Sequence, residues 1–180
     1  SLRAEIDMLA ARYSYRDAPL IERADVGQYV ASDAYHGGLF DWGIGHLHPL
    51  NYCLGLARAA IAAGVEIFED SPVTAIDMRE RPQARTSQGE VRARYLVLAG
   101  NAYLGDLVPS IRRKVMPVGT YMAATVPLDA NRAKSLIPSD AAVTDTKFVL
   151  DYYRLSADHR LLFGCRVASS CERDVVVLER

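Results

Sequence analysis

Cysteine is scarce in this sequence and odd in number: Cys53, Cys165 and Cys171, with no C-x-x-C spacing. That argues against a disulfide framework and against a cysteine zinc site, and it fits a reducing compartment, so the expected address is cytoplasmic. No apolar run approaches the ~20 residues that a bilayer-spanning helix needs. The first ten residues, SLRAEIDMLA, carry acids where a secretory leader keeps an uninterrupted apolar stretch. Neither sign of charge dominates. With 21 basic and 22 acidic side chains the formal net charge is -1, which gives no reason to expect a nucleic-acid or anionic-membrane partner. Basic residues crowd only at Arg79, Arg81, Arg85, Arg92 and Arg94, interleaved with Glu80 and Glu90, which reads as a solvated hairpin rather than a binding patch. Also missing are the G-x-S-x-G elbow, the H-E-x-x-H helix, the Walker loop and the dinucleotide G-x-G-x-x-G.

What is present is concentrated. The stretch HGGLFDWGIGHLHP, residues 36–49, holds three of the four histidines, four glycines and the only tryptophan. His46 and His48 flank one residue, as paired zinc ligands can, with Asp33, His36 and Asp41 nearby in sequence. The same glycines permit positive φ and let backbone lie close to a flat organic ligand, beside apolar ring faces with polar tips. A structural loop, with His48 capping the next helix, is the third reading, and composition leaves all three open.

A chain of 180 residues, half of them apolar, can bury one sizeable core or one domain with a smaller appendage. Leu2, Ile6, Leu9 and Tyr13 recur at helical spacing, so residues 2–13 are expected as an amphipathic helix. A turn at Pro19 precedes a short extended piece and a brief helix around 25–30. Pro49 suits a first helical position, Leu50, Leu54, Ala57 and Ile61 share one face, and Gly64 can supply the left-handed cap. Cys53 on that helix is expected to face the core. VEIFED and SPVTAIDMRE are strand-like, ARTSQGEVRARY predicts a hairpin through Gln88-Gly89, and YLVLAG is expected as a buried strand running into a turn. From Lys114 the texture becomes β-rich, with one short helix near 131–136. Both ends read as cut.

Three places carry candidate chemistry. At Ala99-Gly100-Asn101, small residues after an apolar strand let a ligand approach the backbone, although a plain turn explains them as well. His46 and His48 belong to the glycine-rich stretch. In FVLDYYRLSADHRLLFGCR, alternation puts Tyr152 and Arg154 on one strand face and Tyr153 on the other, so a phenol and a guanidinium can be presented together. Arginine there suits a carboxylate held through two parallel hydrogen bonds, or it is ordinary sheet surface. Asp158 and His159 read as turn residues rather than a catalytic pair.

The strings YHGGLFDWGIGHLHPLNYCLGLARAAIAAGVEIFEDSPVTAI, YLVLAGNAYL, VMPVGTYMAAT and DYYRLSADHRLLFGCR, in this order, resemble the FAD-dependent D-amino acid oxidase superfamily, up to about Val167. The resemblance implies an α/β fold of mixed α+β character. In it, part of a Rossmann-like FAD-binding domain, residues 43–110, joins a β-rich substrate domain at 111–168. Residues 1–42 form a connecting or substrate-domain segment, and residues 169–180 a divergent tail. It further implies FAD as cofactor, an amine substrate and oxygen as partners, and oxidation of a C–N bond to aldehyde, ammonia and hydrogen peroxide. In the branch most similar to this chain the amine is gamma-glutamylputrescine, which points to putrescine catabolism. By the same resemblance Val73 meets the adenine through its backbone, Ala99, Gly100 and Asn101 line the adenosine diphosphate, His46 and His48 stand on the flavin side, and Tyr152 and Arg154 on the substrate side. No residue is singled out as catalytic, because hydride removal in this family depends on orientation over the flavin. Three features depart from the family: the N-terminal dinucleotide fingerprint and the C-terminal flavin segment are missing, and Cys165 stands where a second glycine is expected after Gly164. Two further classes stay in view: a non-catalytic remnant or binding module without flavin, and a zinc hydrolase using His46 and His48. Strands built to be covered but left open predict self-association.

Overall fold

The computed structural model describes residues 2–147 and 150–168, with side chains to Gly164 in the last strand. It is a mixed arrangement of helices and antiparallel sheets, in chain order α1 (Leu2–Tyr13), β1 (Leu20–Glu22), β2 (Gly37–Leu39), α2 (Pro49–Ala62), β3 (Ala75–Asp77), β4 (Gln83–Arg85), β5 (Glu90–Arg92), α3 (Pro109–Arg112), β6 (Gly119–Ala124), α4 (Ala130–Leu136), β7 (Val143–Thr144), β8 (Tyr152–Leu155) and β9 (Leu161–Ala168). Two 3-10 stretches, Arg23–Gln28 and Asn101–Leu107, lie between them. The chain divides into two compact units, one formed by Ser1–Pro49 with Thr120–Ala168, the other by Leu50–Gly119.

The first unit contains the buried core. β1 pairs with β2, Ile21 opposite Gly38, and a four-stranded sheet runs in the order β6-β9-β8-β7. Ile21, Val26 and Val30 form one buried cluster, and Ala133, Ile137 and Leu155 form another. Tyr153 packs against both, as alternation along β8 allows once Arg154 points the other way. Asp129 caps α4 by accepting from the Arg132 backbone N–H at 3.0 Å. The β8–β9 connection is a polar turn: Ser156 Oγ donates to Asp158 at 2.5 Å, and Arg160 Nε donates to the other carboxylate oxygen at 2.8 Å. The Ser156 bond first, then the Arg160 bond, hold the Asp158 carboxyl below its ordinary value. His159 takes the left-handed conformation there, φ 63, so both residues serve the turn.

The second unit contains the three-stranded meander β3-β4-β5 and helices α2 and α3. The expected hairpin is present, with Thr86 N–H donating to Gly89 O at 2.8 Å. The proline-initiated helix is present as well, and Gly64 follows it at φ 89. Four expectations fail here. VEIFED forms no strand, YLVLAG forms no strand, and Val97 within it is 84% exposed rather than buried. The apolar face of α2 is uncovered: Leu50, Leu54, Ile61 and Cys53 are exposed, so Cys53 does not face a core. A strand exists only when another strand satisfies its N–H and C=O groups, and an apolar stripe is buried only when a second surface meets it. Among the described residues of 50–119 none is buried.

Candidate functional site

The glycine-rich stretch begins inside the first unit's packing and leaves it. Phe40 N–H donates to Pro19 O and Trp42 N–H to Asp17 O at 2.8 Å, extending the β1–β2 pairing. Phe40 packs between Tyr29 and Trp42, ring centroids 4.9 and 4.5 Å away. At Gly37, φ is 154 and an added Cβ would lie 2.9 Å from Ile21 O, so glycine there serves close strand contact. Gly43 to His48 are all exposed.

Two of the sequence candidates meet beyond this point. Arg154 on β8 donates from Nη2 to Leu47 O at 3.2 Å, while its Nη1 stands 3.4 Å from His46 Nδ1 and donates to Leu155 O at 3.1 Å. His46 Nε2 lies 2.9 Å from Asp140 O. A carbonyl only accepts, so Nε2 carries the proton and Nδ1 accepts from the guanidinium. Three of the five guanidinium N–H groups are thereby engaged, and the Nε side remains available as a donor edge. Tyr152 lies two residues before Arg154 with its ring over Gly164, its pairing partner on β9, where any Cβ would overlap the ring. The side chain of Cys165, expected to intrude next to Gly164, lies outside the described residues. His48 is exposed and immediately precedes α2.

Zinc chemistry finds no donor set here. Among the described residues no three His, Cys, Asp or Glu side chains converge. His46 has both nitrogens engaged, one of them by a cation, and His36 Nδ1 faces Arg23 at 2.7 Å.

Sequence reasoning did not find several partners. Tyr35 and Tyr153 join hydroxyl to hydroxyl at 3.0 Å across 118 positions. Burial first, and the Tyr35 bond second, push the Tyr153 phenol above its ordinary value. Tyr15 donates to Asp41, which raises the Tyr15 phenol, and Asp41 also accepts from Gly43 N–H at 2.8 Å. No spacing rule signals pairs so distant in sequence.

In the second unit, Val73 is half-buried just before Thr74, whose N–H and hydroxyl bond Arg85 O. Ala99 is exposed, Asn101 is left-handed at φ 48, and Gly100 is packed so that a Cβ would come within 3.2 Å of Leu104.

A family model described as FAD dependent oxidoreductase, DAO, matches residues 1–174. The chain belongs to this family. It is 45% identical over 176 residues to a probable oxidoreductase, OrdL, of Haemophilus influenzae, covering 93% of this chain and 40% of that protein. To the gamma-glutamylputrescine oxidoreductase of Escherichia coli it is 44% identical over 154 residues, covering 85% and 36%. To a probable oxidoreductase, OrdL, of Rhizobium meliloti it is 32% identical over 176 residues, covering 96% and 41%. The chain thus spans about two fifths of the length of the curated relatives it matches. The family is FAD-dependent. The 99–101 turn offers small side chains and open backbone, suited to close approach. It carries no cationic side chain, and the 3-10 stretch after it is broken at Gly105, φ 59 and ψ -141, so what residues 99–101 offer a ligand is backbone rather than charge.

Proposed function

We propose that this chain forms the central part of a flavin-dependent amine oxidoreductase acting on a substrate such as gamma-glutamylputrescine, with aldehyde, ammonia and hydrogen peroxide as products. Residues 43–110 contribute to the FAD-binding domain, and residues 1–42 and 111–168 to the substrate domain. The proposed tail, 169–180, lies outside the described residues. The first support is similarity to a protein of that name over 85% of this chain, within a family defined by FAD. The observation that carries the site is the meeting of exposed His46 and half-buried Arg154, 108 positions apart, within the first unit.

When bound, FAD would supply the redox chemistry, taking a hydride from the C–H bond beside the amine nitrogen and passing the two electrons to oxygen as hydrogen peroxide, while water hydrolyses the resulting imine to aldehyde and ammonia. The chain's own residues bind and orient. Arg154 offers its Nε edge to an anionic group of the substrate, and Tyr152 supplies a ring fixed over Gly164 beside it. His46 and His48 stand toward the flavin. Val73 meets the adenine, and Ala99, Gly100 and Asn101 approach the adenosine diphosphate through backbone. Among the described residues no helix is long and apolar enough to cross a membrane, and a cytoplasmic location goes with this function.

The test is an absorbance spectrum of the purified chain after incubation with excess FAD and gel filtration. A retained flavin band supports a usable site and calls for oxygen-consumption assays with gamma-glutamylputrescine. Colourless protein that is folded by circular dichroism refutes flavin chemistry by this chain alone. A second function, a binding module without flavin, is favoured by one observation: the Leu50–Gly119 unit buries none of its described residues.

A further inference from the structure

The exposed run Gly43 to His48 has little packing of its own, so its course is set by what holds its two ends. At the far end, Leu47 O accepts from Arg154 Nη2, and His46 bridges Asp140 O and Arg154 Nη1. At the near end, one carboxylate oxygen of Asp41 accepts both from the Tyr15 hydroxyl and from Gly43 N–H. Tyr15 Oη also occupies the space that a Cβ at Gly43 would need, whereas Gly45, two residues on, has nothing within 4 Å of such a Cβ. Only one of the two glycines is therefore required by its surroundings.

We propose that Tyr15, Asp41 and Gly43 form a positioning pin that sets the 43–48 run so that His46 and Leu47 hold the Arg154 guanidinium with its Nε edge outward. The three act through His46 and Leu47 rather than by touching a ligand, and are positioning residues. Loss of the pin at either member acts alike. Tyr15→Phe removes the donor to Asp41. Gly43→Ala displaces the Tyr15 hydroxyl from Asp41 by collision, a different route to the same release. Without the pin the run is anchored no further than Trp42, whose N–H donates to Asp17 O, and from Gly43 onward it loses the hold that keeps His46 in register with Asp140 O and Arg154.

The role assigned to the pin rests on the substrate-facing place of Arg154 proposed above, but its test needs no flavin. The imidazole nitrogens of the full chain are read by long-range proton–nitrogen NMR, with the four histidines assigned. In the unsubstituted chain His46 is expected as a single tautomer, protonated at Nε2 with Nδ1 accepting. In Tyr15→Phe and in Gly43→Ala the expected result is loss of that signature to tautomer averaging, with His36 and His159 unmoved, while Gly45→Ala keeps it. Coupling is reciprocal, so Arg154→Gln is expected to shift the Tyr15 ring resonances; this reading stands even if a pin variant does not fold. An averaged His46 in the unsubstituted chain, an unchanged His46 in a folded pin variant, or an unmoved Tyr15 in Arg154→Gln each overturns the proposal. A colourless protein with this coupling intact refutes the flavin function and leaves the pin standing.

Discussion

Replacing Ile137 with alanine is expected to remove a large part of the stability of the first unit, and replacing Ile61 very little of anything. Ile137 follows α4 and is 1% exposed, packed with Ala133 and Leu155 and beneath Leu128, Leu136, Tyr153 and Leu161. Deleting three carbons from a fully buried site loses about 2.4 kcal/mol of transfer free energy at roughly 0.8 kcal/mol each. The cavity left behind brings the total to about 3–5 kcal/mol, because a cluster closed on so many sides relaxes only in part. Ile61 is 57% exposed on a helix that buries nothing, so less than half the same transfer term applies, about 1 kcal/mol at most, with no cavity. Urea unfolding followed by far-ultraviolet circular dichroism reads both, as shifts of midpoint at unchanged slope. Equal losses in the two variants, or a loss below about 1 kcal/mol at Ile137, would refute the assignment of the core to the first unit.

Asp129→Ala removes the α4 cap and is expected to cost about 1 kcal/mol in the same assay, with Asp129→Ser restoring most of it. Asp77, bonded by Arg79 through side chain and backbone, is held down from 3.8 to about 2. A depressed carboxyl stabilises the folded state fully above its unfolded value, so whatever this pair contributes is lost as pH falls from about 4 through about 2, and Arg79→Ala is expected to move the Asp77 NMR titration upward, toward the ordinary range, with the backbone N–H of residue 79 retaining part of the depression. The uncovered apolar side chains of α2 and of 95–97 predict self-association; sedimentation velocity is expected to show a weight-average mass rising with concentration, and Leu54→Lys with Val97→Lys to suppress it.

Local chemistry was legible in the sequence, and distant pairing was not. The helix over 2–13, the proline-led helix ending before Gly64, the Gln88-Gly89 hairpin and the short helix before Leu136 all follow from periods and punctuation within a few residues. The helix placed at 25–30 forms instead as a 3-10 stretch over Arg23–Gln28, an end displacement that fraying makes common. VEIFED and YLVLAG have the composition of strands and remain unpaired, because composition states a preference and only a neighbour realises it. The candidate site divides the same way. His46 and Arg154 could be singled out by residue type, yet that the two would meet, with the donor direction set by Asp140 O, depends on the fold. The Tyr15 hydroxyl on Asp41 bridges 26 positions and carries no motif.

The division of the first unit between two stretches of chain also governs when it can come into being. Ser1–Pro49 and Thr120–Ala168 are separated by the 70 residues of Leu50–Gly119. A ribosome releases the first stretch long before the second exists, at roughly 5–20 residues per second, so Ile21, Val26 and Val30 must wait several seconds for Val143 and Tyr153. Joining the stretches then closes a loop of that length at an entropic cost of roughly 4 kcal/mol. Residues 1–49 are thus made well before the partners that secure them, and the newborn chain spends that interval with this future core open to whatever chaperone or neighbour is at hand.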